Sequence, residues 1–270
     1  MSRDRFFAVG DVTLNYRLMG TGPEPLVCVH GVGASLEAWE GIAKRLDRGY
    51  TMLTFDLRGH GKSSKINGRY EIDDFVGDTL ALAEEVGFDT FHLAGFSLGG
   101  LIAQRIALTH HHRLRRLVLL STVAGRTGEE RQRVLSRLEA LRSGDRGSHY
   151  DASVSRWFSE AFQAENPDLM ADLRRRNAEN DPDCYASAYR VLAETDFGGL
   201  LDRIHCPTLI ATGEDDVGSN PRMARFMHES IPGSKLEILP GLRHSILHEA
   251  PDQVAKMMDD FFAHRETANG

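Results

Sequence analysis

LAGFSLGG at residues 93–100 determines how this chain folds. An apolar, strand-like run at 90–94 precedes Ser97, and a run with helical spacing follows it. A chain that passes from strand to helix over so few residues holds the residue at the apex in a strained backbone conformation. Gly95 and Gly99 flank that apex, where any side chain would crowd the turn. The spacing Gly-x-Ser-x-Gly therefore predicts a Ser97 hydroxyl that projects from the end of a strand as a candidate nucleophile.

An acid and a histidine follow downstream, each directly after a strand-like run. The apolar, β-branched run 207–213 leads into the acidic loop 214–216. The alternating run 235–239 is followed by His244. The carboxyl ends of parallel strands lie at one edge of an open sheet. We therefore expect Ser97, one acid of the loop and His244 to meet at this edge, in the chain order serine, acid, histidine.

The composition indicates one globular unit of enzyme size. A chain of 270 residues with 41% hydrophobic content buries a substantial core. The formal net charge of −7, the pI near 5.9 and the lack of a basic stripe argue against a nucleic-acid partner. The crowded arginines at 174–176 are interspersed with acids, as on a solvated helix face.

Neither the cysteines nor a histidine tract predicts a metal site. Cys28, Cys184 and Cys206 are too few and too scattered for a disulfide framework or a zinc site, and Cys28 lies inside a strand-like run. The tract HHH at 110–112 falls at the end of the helix that follows Ser97, on the flank away from the sheet edge. We therefore expect no metal and no organic cofactor.

The sequence predicts neither an export signal nor a membrane span. Residues 1–5 lack the apolar stretch and cleavage site of a signal peptide. No run approaches the roughly 18 apolar residues of a membrane-spanning helix. We therefore expect a cytoplasmic protein without a membrane partner, and the sequence leaves the oligomeric state open.

Short apolar strands alternate with amphipathic helices along most of the chain, which is typical of a largely parallel sheet. The runs 6–9 and 13–19 flank a turn at Gly10 and predict an opening antiparallel pair. Further strands are expected at 26–30, 51–57, 90–96 and 116–120, and helices at 37–46, 73–86 and 98–109. The pattern predicts an α/β fold with a mostly parallel eight-stranded sheet and helices on both faces.

The alternation stops between residues 124 and 202, where the pattern is nearly all helical. This segment has apolar faces of its own, at Val134, Leu138 and Leu141 and at Trp157, Phe158 and Phe162. A structureless loop of this length is uncommon inside a compact domain. We therefore expect a helical cap, 124–202, inserted into a core formed by 1–123 and 203–270.

HGVGAS at residues 30–35 follows the third predicted strand and provides a second motif. Its glycines allow the backbone to turn an N–H group towards Ser97. An anionic intermediate needs two N–H donors, one from the residue after the nucleophile and one from such a loop. These donors are expected at Leu98 and Val32. We interpret His30, at the strand end, as a residue that orients the loop.

Five motifs in register make the chain resemble the α/β-hydrolases over nearly its whole length. They are HGVG at 30–33, DLRGHGKS at 56–63, GFSLG at 95–99, GEDD at 213–216 and GLRH at 241–244. The resemblance implies a catalytic triad of Ser97 as nucleophile, Asp216 as acid and His244 as base, together with the oxyanion donors named above. Asp216 is preferred to Asp215 because the acid of the family is the third residue after the glycine of the GEDD motif, which is Gly213 here.

The predicted cap and the C-terminal segment resemble those of 3-oxoadipate enol-lactonases. The matching stretches are 157–167, 185–196 and 244–251. The resemblance implies a serine hydrolase that cleaves an ester or lactone bond of a small molecule through an acyl-enzyme. The chain departs from these lactonases at His30-Gly31, where they usually carry Asn-Ser.

Single residues separate this activity from others on the same scaffold. Ring-cleavage C–C hydrolases tend to carry Trp directly after the catalytic histidine, where this chain has Ser245. Epoxide hydrolases and haloalkane dehalogenases need a carboxylate at the position of Ser97. A cofactor-free perhydrolase uses the same triad, and a small-ligand receptor uses the same fold. C–C bond hydrolysis, perhydrolysis and a non-enzymatic role as a receptor for a small ligand stay open as alternatives.

A carboxylated enol-lactone, the substrate class that the resemblance implies, needs a cation in the pocket. Arginine suits this role because its planar fork binds a carboxylate through two hydrogen bonds. Arg190, on the predicted helix 185–194, and Trp157 are the candidate substrate-binding residues.

Overall fold

Eight strands form a single sheet in the part of the chain that the structure describes. The structure is a computed structural model and describes residues 3–143 and 146–263. The strands are β1 (Arg5–Val9), β2 (Val12–Met19), β3 (Glu24–Val29), β4 (Tyr50–Phe55), β5 (Phe91–Phe96), β6 (Leu114–Leu120), β7 (Thr208–Gly213) and β8 (Lys235–Leu239). Their order is β1-β2-β4-β3-β5-β6-β7-β8; β2 is antiparallel to β1 and β4, and the other pairs are parallel. The mostly parallel eight-stranded sheet is confirmed.

The helices fill the connections between these strands. They are α1 (Glu40–Leu46), α2 (Ile72–Glu85), α3 (Leu98–Thr109), α4 (Gly128–Ser143), α5 (Arg146–Trp157), α6 (Glu160–Glu165), α7 (Pro167–Ala178), α8 (Pro182–Glu194), α9 (Pro221–Ser230), α10 (Ile246–Glu249) and α11 (Pro251–Ala263). Short 3-10 helices occur at Leu36–Trp39, His111–Arg113 and Gly198–Arg203. The helix expected at 37–46 thus begins as a 3-10 helix and continues as α1. No helix among the described residues is long and apolar enough to span a lipid bilayer.

Both faces of the parallel strands are buried, because successive side chains of a strand point to opposite sides. In β3, Val27 belongs to one apolar cluster, which includes Phe75 of α2. The next residue, Cys28, belongs to a second cluster on the other face, which includes Trp39. All six residues of β5 are buried, so the strand that leads to Ser97 is anchored from both sides.

Helices α4 to α8 lie between β6 and β7 and form what we call the helical insertion. Helices α4 and α8 pack around an apolar cluster of Val134, Leu138, Tyr185, Tyr189 and Ala193. Residues 144–145 of the expected cap, and 1–2 and 264–270 of the expected core, lie outside the described residues. The helical pattern predicted for 124–202 is present in the described part, while the division into core and cap stays a prediction.

Polar contacts attach the helical insertion to the rest of the molecule. The N–H groups of Gly125 and Arg126 donate to the carboxylate of Asp196 at 2.8 and 2.9 Å. Residues about 70 positions apart in the sequence therefore meet at the base of the insertion. Near the end of α5, the Trp157 carbonyl accepts the N–H of Ser245 at 2.9 Å. This second contact holds α5 against the loop that follows β8.

Candidate active site

Ser97 stands at the apex of a sharp turn between β5 and α3. Its backbone has φ +56° and ψ −116°, a conformation that residues other than glycine rarely adopt. A Cβ on Gly95 would overlap the carbonyl oxygen of Gly99, and a Cβ on Gly99 would overlap that of Val29. Since only glycine fits at these two positions, the glycines permit the tight approach of backbone that presents Ser97.

Asp216 and His244 form a hydrogen-bonded pair. Asp216 Oδ2 lies 2.7 Å from His244 Nδ1, and Oδ1 accepts the N–H groups of Gly218 and Ser219 at 2.8 and 2.9 Å. Burial acts to raise the pKa of Asp216, but His244 and the two N–H donors outweigh it and lower the pKa. The ionised carboxylate therefore accepts a hydrogen bond from Nδ1–H of His244, which leaves Nε2 as the basic nitrogen.

Asp215 does not take part in this pair. Its side chain is exposed, and its backbone N–H donates to the carbonyl of Leu242 at 2.9 Å. Asp216, by contrast, is only 2% exposed and contacts His244. The structure thus brings to His244 the acid that the family resemblance favours.

Ser97, Asp216 and His244 line one cavity between the sheet edge and the helical insertion. Its volume is about 160 Å³, against the roughly 10–15 Å³ that a single water needs. The ring of Phe96 packs against that of His244, with 5.1 Å between the ring centres. The candidate nucleophile and base therefore share a space large enough for a small organic molecule.

The loop after β3 approaches Ser97 closely. A Cβ on Gly31 would lie 2.8 Å from Ser97 Cβ and 3.3 Å from Ser97 Oγ, so a side chain at this position would press on the hydroxyl. The Gly31 carbonyl accepts the N–H of Ala34 at 3.3 Å and lies 2.7 Å from His30 Nδ1. Because a peptide unit is planar and trans, the N–H of Val32 points away from those two donors.

Two backbone N–H groups near Ser97 are available to an anion. Within the described ranges, the N–H groups of Val32 and Leu98 donate to no protein acceptor. Val32 lines the cavity, and Leu98 begins α3, whose N-terminus favours negative charge. This is the arrangement that the sequence predicts for an oxyanion hole.

His30 is buried beneath the same loop. Its Nε2 accepts the N–H of Leu57 at 3.0 Å, so Nδ1 carries the proton and donates it to the Gly31 carbonyl. Burial lowers the pKa of His30 to about 4, and the ring of His60 packs edge-on against it at 5.3 Å. These contacts support the interpretation that a neutral His30 orients the loop.

The motif DLRGHGKS supports the surrounding loops and not the cavity. The Asp56 carboxylate accepts three hydrogen bonds of 2.8 Å. The donors are the side-chain amide of Asn15 and the backbone N–H groups of Leu36 and Lys62. A Cβ on Gly61 would overlap this carboxylate. Asp56 therefore joins β2, the first 3-10 helix and the loop after β4.

Of the two predicted substrate-binding residues, Trp157 lines the cavity and Arg190 does not. Arg190 donates to Glu194 Oε2 at 2.6 Å and to the carbonyl of Tyr70. The structure therefore places Arg190 outside the cavity lining, in an ion pair with Glu194. Tyr189 occupies the side of α8 that faces the cavity, and the next residue is rotated by about 100° around a helix of 3.6 residues per turn.

Sequence reasoning missed the arginines that do line the cavity. They are Arg126, Arg133, Arg137 and Arg156. The guanidinium of Arg126 is engaged by the carbonyls of Thr195 and Leu192, at 2.8 and 2.7 Å. A signal was present in the i,i+4 spacing of Arg133 and Arg137 beside the apolar positions of α4, which places both on one side of that helix.

The histidine tract and the cysteines lie away from the cavity. Residues 110–112 follow the last turn of α3 and enter the second 3-10 helix. Cys28, Cys184 and Cys206 are buried free thiols that do not line the cavity. Among the described side chains, no group of three or more His, Cys, Asp or Glu converges in a way that could hold a metal ion.

Comparisons with known proteins agree with this fold. A family model described as alpha/beta hydrolase fold matches residues 24–251. (E)-2-((N-methylformamido)methylene)succinate hydrolase of Acinetobacter baylyi is 31% identical over 253 residues, which cover 91% of this chain and 92% of the relative. 3-Oxoadipate enol-lactonase 2 of the same organism is 30% identical over 230 residues, 85% of each chain. The crystal structure of the enol-lactonase from Burkholderia xenovorans LB400 superposes with a TM-score of 0.90 at 26% identity, covering 96% of this chain and all of that one.

Proposed function

The chain belongs to the α/β-hydrolase fold family, and from this premise we propose that it is a serine hydrolase that cleaves an ester or lactone bond of a small molecule. The observation that carries the proposal is the 2.7 Å contact between Asp216 and His244 in a cavity that also contains Ser97. Such a serine, histidine and acid support acyl transfer to water through a covalent intermediate.

In the first half of the reaction, Ser97 Oγ attacks the substrate carbonyl carbon while His244 Nε2 takes the hydroxyl proton. The carbonyl oxygen becomes an anion, which the N–H groups of Val32 and Leu98 stabilise. Asp216 stabilises the imidazolium that forms. The C–O bond to the leaving alcohol then breaks, and the imidazolium donates its proton to that oxygen. With a lactone, the leaving hydroxyl stays attached to the acyl group.

In the second half, water releases the acyl group. His244 Nε2 takes a proton from the water as its oxygen attacks the acyl carbon, and the same two N–H groups receive the new anion. When this intermediate collapses, Ser97 Oγ leaves and recovers its proton from His244. The products are a carboxylic acid and an alcohol, or a hydroxy acid from a lactone, and the resting enzyme is restored.

The similarity of this chain to enol-lactonases favours a lactone or an ester as its substrate over other acyl compounds. We assign residues 124–202 as a cap that selects the substrate above a core of 1–123 and 203–270. Trp157 supports this assignment. Its side chain lines the cavity, and its carbonyl accepts a hydrogen bond from the N–H of Ser245, the residue after His244. The cap and the sheet edge thus contribute side chains to the same space.

Replacement of Ser97 by Ala tests the covalent route. Hydrolysis of p-nitrophenyl acetate should fall by a factor on the order of 10⁶, because the attacking hydroxyl is lost. Circular dichroism should match that of the native protein, since alanine removes only one oxygen. Ser155→Ala, an exposed serine of α5, is the control and should keep its activity. A folded Ser97→Ala protein with native turnover would refute the proposal.

The alternatives are separated by following the acyl group. Mass spectrometry of the native protein, quenched during turnover of p-nitrophenyl acetate, should find an acetyl group on Ser97. A perhydrolase would form peracetic acid from the same intermediate when hydrogen peroxide is added. A C–C hydrolase would cleave a vinylogous diketone faster than any ester, and a receptor would bind ligands without turnover.

A further inference from the structure

The proposed chemistry leaves several charges of the cavity without a role. The charged side chains of the cavity lining are Arg126, Arg133, Arg137, Arg156, Glu130 and Asp216. Both acids are already engaged, Asp216 by His244 and Glu130 by Arg222 at 2.5 Å. The guanidinium of Arg126 donates hydrogen bonds to two backbone carbonyls. Three guanidinium groups therefore face the cavity and form no ion pair with a carboxylate of the described residues.

Two of these guanidinium groups, those of Arg137 on α4 and Arg156 on α5, line the same cavity and lie within electrostatic reach of each other. The charge of Arg137 opposes the rise that burial causes in the pKa of the Tyr189 hydroxyl. Arg156 donates to Ser153 Oγ at 2.7 Å and to the carbonyl of Ala152. Burial lowers the pKa of Arg156, and the nearby charge of Arg137 lowers it further. Two like charges from different helices thus share one half-buried wall.

Such a pair is unfavourable by itself. Each guanidinium has lost part of its hydration, and the two positive charges repel each other. A bound anion removes the repulsion and replaces the lost water. Arginine has five N–H groups in a planar fork, and Arg156 uses two groups on its own helix, so donors remain for a carboxylate.

We propose that Arg137 and Arg156 bind a carboxylate of the substrate, so that the enzyme acts on esters and lactones that carry a free carboxylate apart from the bond that is cleaved. The inference rests on the proposed function for the bond that breaks, but the binding of the carboxylate does not depend on Ser97. Arg133, which is exposed where it lines the same cavity, adds positive potential that attracts the anion.

A matched pair of esters isolates the carboxylate. Mono-p-nitrophenyl adipate and p-nitrophenyl hexanoate have acyl chains of the same length and the same leaving group, and they differ in a terminal carboxylate against a methyl group. The native protein should show the higher kcat/KM for the adipate half-ester. Charge-assisted hydrogen bonds lead us to expect a ratio of about 10 to 100.

Variants test whether the two arginines cause the difference in kcat/KM between the two esters. Arg137→Gln and Arg156→Gln should each lower kcat/KM for the half-ester by about tenfold, mainly through KM, and should leave the hexanoate nearly unchanged. Arg137→Lys, which keeps the charge without the fork, should retain part of the preference. Arg131→Gln is the control, because this exposed residue lies on the same helix outside the cavity lining and loses the same charge.

A binding measurement separates failure of this inference from failure of the proposed function. Adipate should bind the Ser97→Ala protein in calorimetry, and Arg137→Gln or Arg156→Gln in that background should weaken it by about tenfold. Adipamide, the neutral diamide, should not bind detectably. Equal turnover of the two esters, or a preference that survives both substitutions, would overturn the carboxylate site while hydrolysis through Ser97 stood. Binding of adipate to a protein that hydrolyses neither ester would uphold the site and overturn the proposed reaction.

Discussion

The sheet edge and the helical insertion build the same cavity by different means. At the sheet edge the buried acid has a protein partner, as the contact of Asp216 with His244 shows. In the insertion, Arg137 and Arg156 line one cavity with no carboxylate partner among the described residues. The acid of the edge is paired within the protein, whereas these two cavity arginines lack a counter-charge among the described residues. We infer that the edge carries the bond chemistry and that the insertion carries the choice of substrate.

The two regions also differ in what holds them together. The strands lie between two large apolar clusters, one on each face of the sheet. The apolar cluster between α4 and α8 is small, α8 adds Cys184, Ala188 and Val191 to one of the large clusters, and polar contacts of Asp196 and Glu130 complete the attachment of the insertion. A substitution at the edge should therefore disturb catalysis in a stable protein, and one in the insertion should disturb its attachment or its selectivity.

After the loss of Ser97, the largest effect is expected at the acid of the sheet edge. Asp216→Asn should lower kcat for p-nitrophenyl acetate by about 10⁴, because the amide favours the wrong tautomer of His244. Asp215→Asn, one residue earlier and exposed, should leave kcat nearly unchanged. Steady-state kinetics of the two variants decide the assignment. The reverse pattern would move the acid to Asp215 and separate the observed 2.7 Å contact from catalysis.

A smaller effect is expected at the support of the oxyanion loop. His30→Ala should lower kcat by about 10², the cost of one oxyanion donor, with little change in KM, because the Gly31–Val32 peptide loses the donor that orients it. His30→Asn should recover part of the rate, since its amide can donate to the same carbonyl. His110→Ala, outside the cavity, is the control. A parallel rise in KM would indicate that His30 shapes the cavity as a whole.

The smallest effect concerns the attachment of the insertion. The carboxylate of Glu130 on α4 accepts hydrogen bonds from the guanidinium of Arg222 at 2.5 Å and from the side-chain amide of Asn220 at 2.8 Å. Burial acts to raise the pKa of Glu130, but these donors and the Thr127 N–H outweigh it and lower the pKa from 4.5 to about 2. Glu130→Gln should cost about 1–2 kcal/mol in the free energy of unfolding near neutral pH, a value discounted for the exposure of Arg222.

The pH dependence of that loss identifies the charge. A carboxyl whose pKa is lower in the folded state stabilises the fold above its unfolded pKa, and this contribution disappears as the pH falls through the folded value. The difference between native and Glu130→Gln proteins in urea unfolding should therefore be constant above about pH 5 and shrink towards pH 2. A difference that does not change with pH would assign it to packing.

The edge of the sheet could be predicted from the sequence because short-range rules position it. Gly95 and Gly99 dictate the turn at Ser97, and the strand ends before Asp216 and His244 bring these residues to one edge. Each rule involves a few consecutive residues or the alternation of a strand. The strands and the first three helices follow for the same reason, apart from the 3-10 start of the helix expected at 37–46, whereas helices α9 to α11 were not predicted.

The cation of the cavity could not be predicted in the same way. Which side of α8 faces the cavity depends on how the helices of the insertion pack, and a rotation of one residue separates Tyr189 from Arg190. Arg137 and Arg156 belong to different helices, and only the tertiary structure brings them together. Periodicity shows that each helix has an apolar face, but it does not show which neighbour that face meets.

The contact of Asp196 with Gly125 and Arg126 closes the helical insertion at its base. Its two ends are about 70 residues apart in the chain, yet they share one carboxylate. A segment of different length or sequence that starts and ends at this contact would leave β6 and β7 where they are. We expect that exchanging residues 126–195 between relatives transfers substrate range without rebuilding the sheet, so that new specificities on this scaffold arise by grafting.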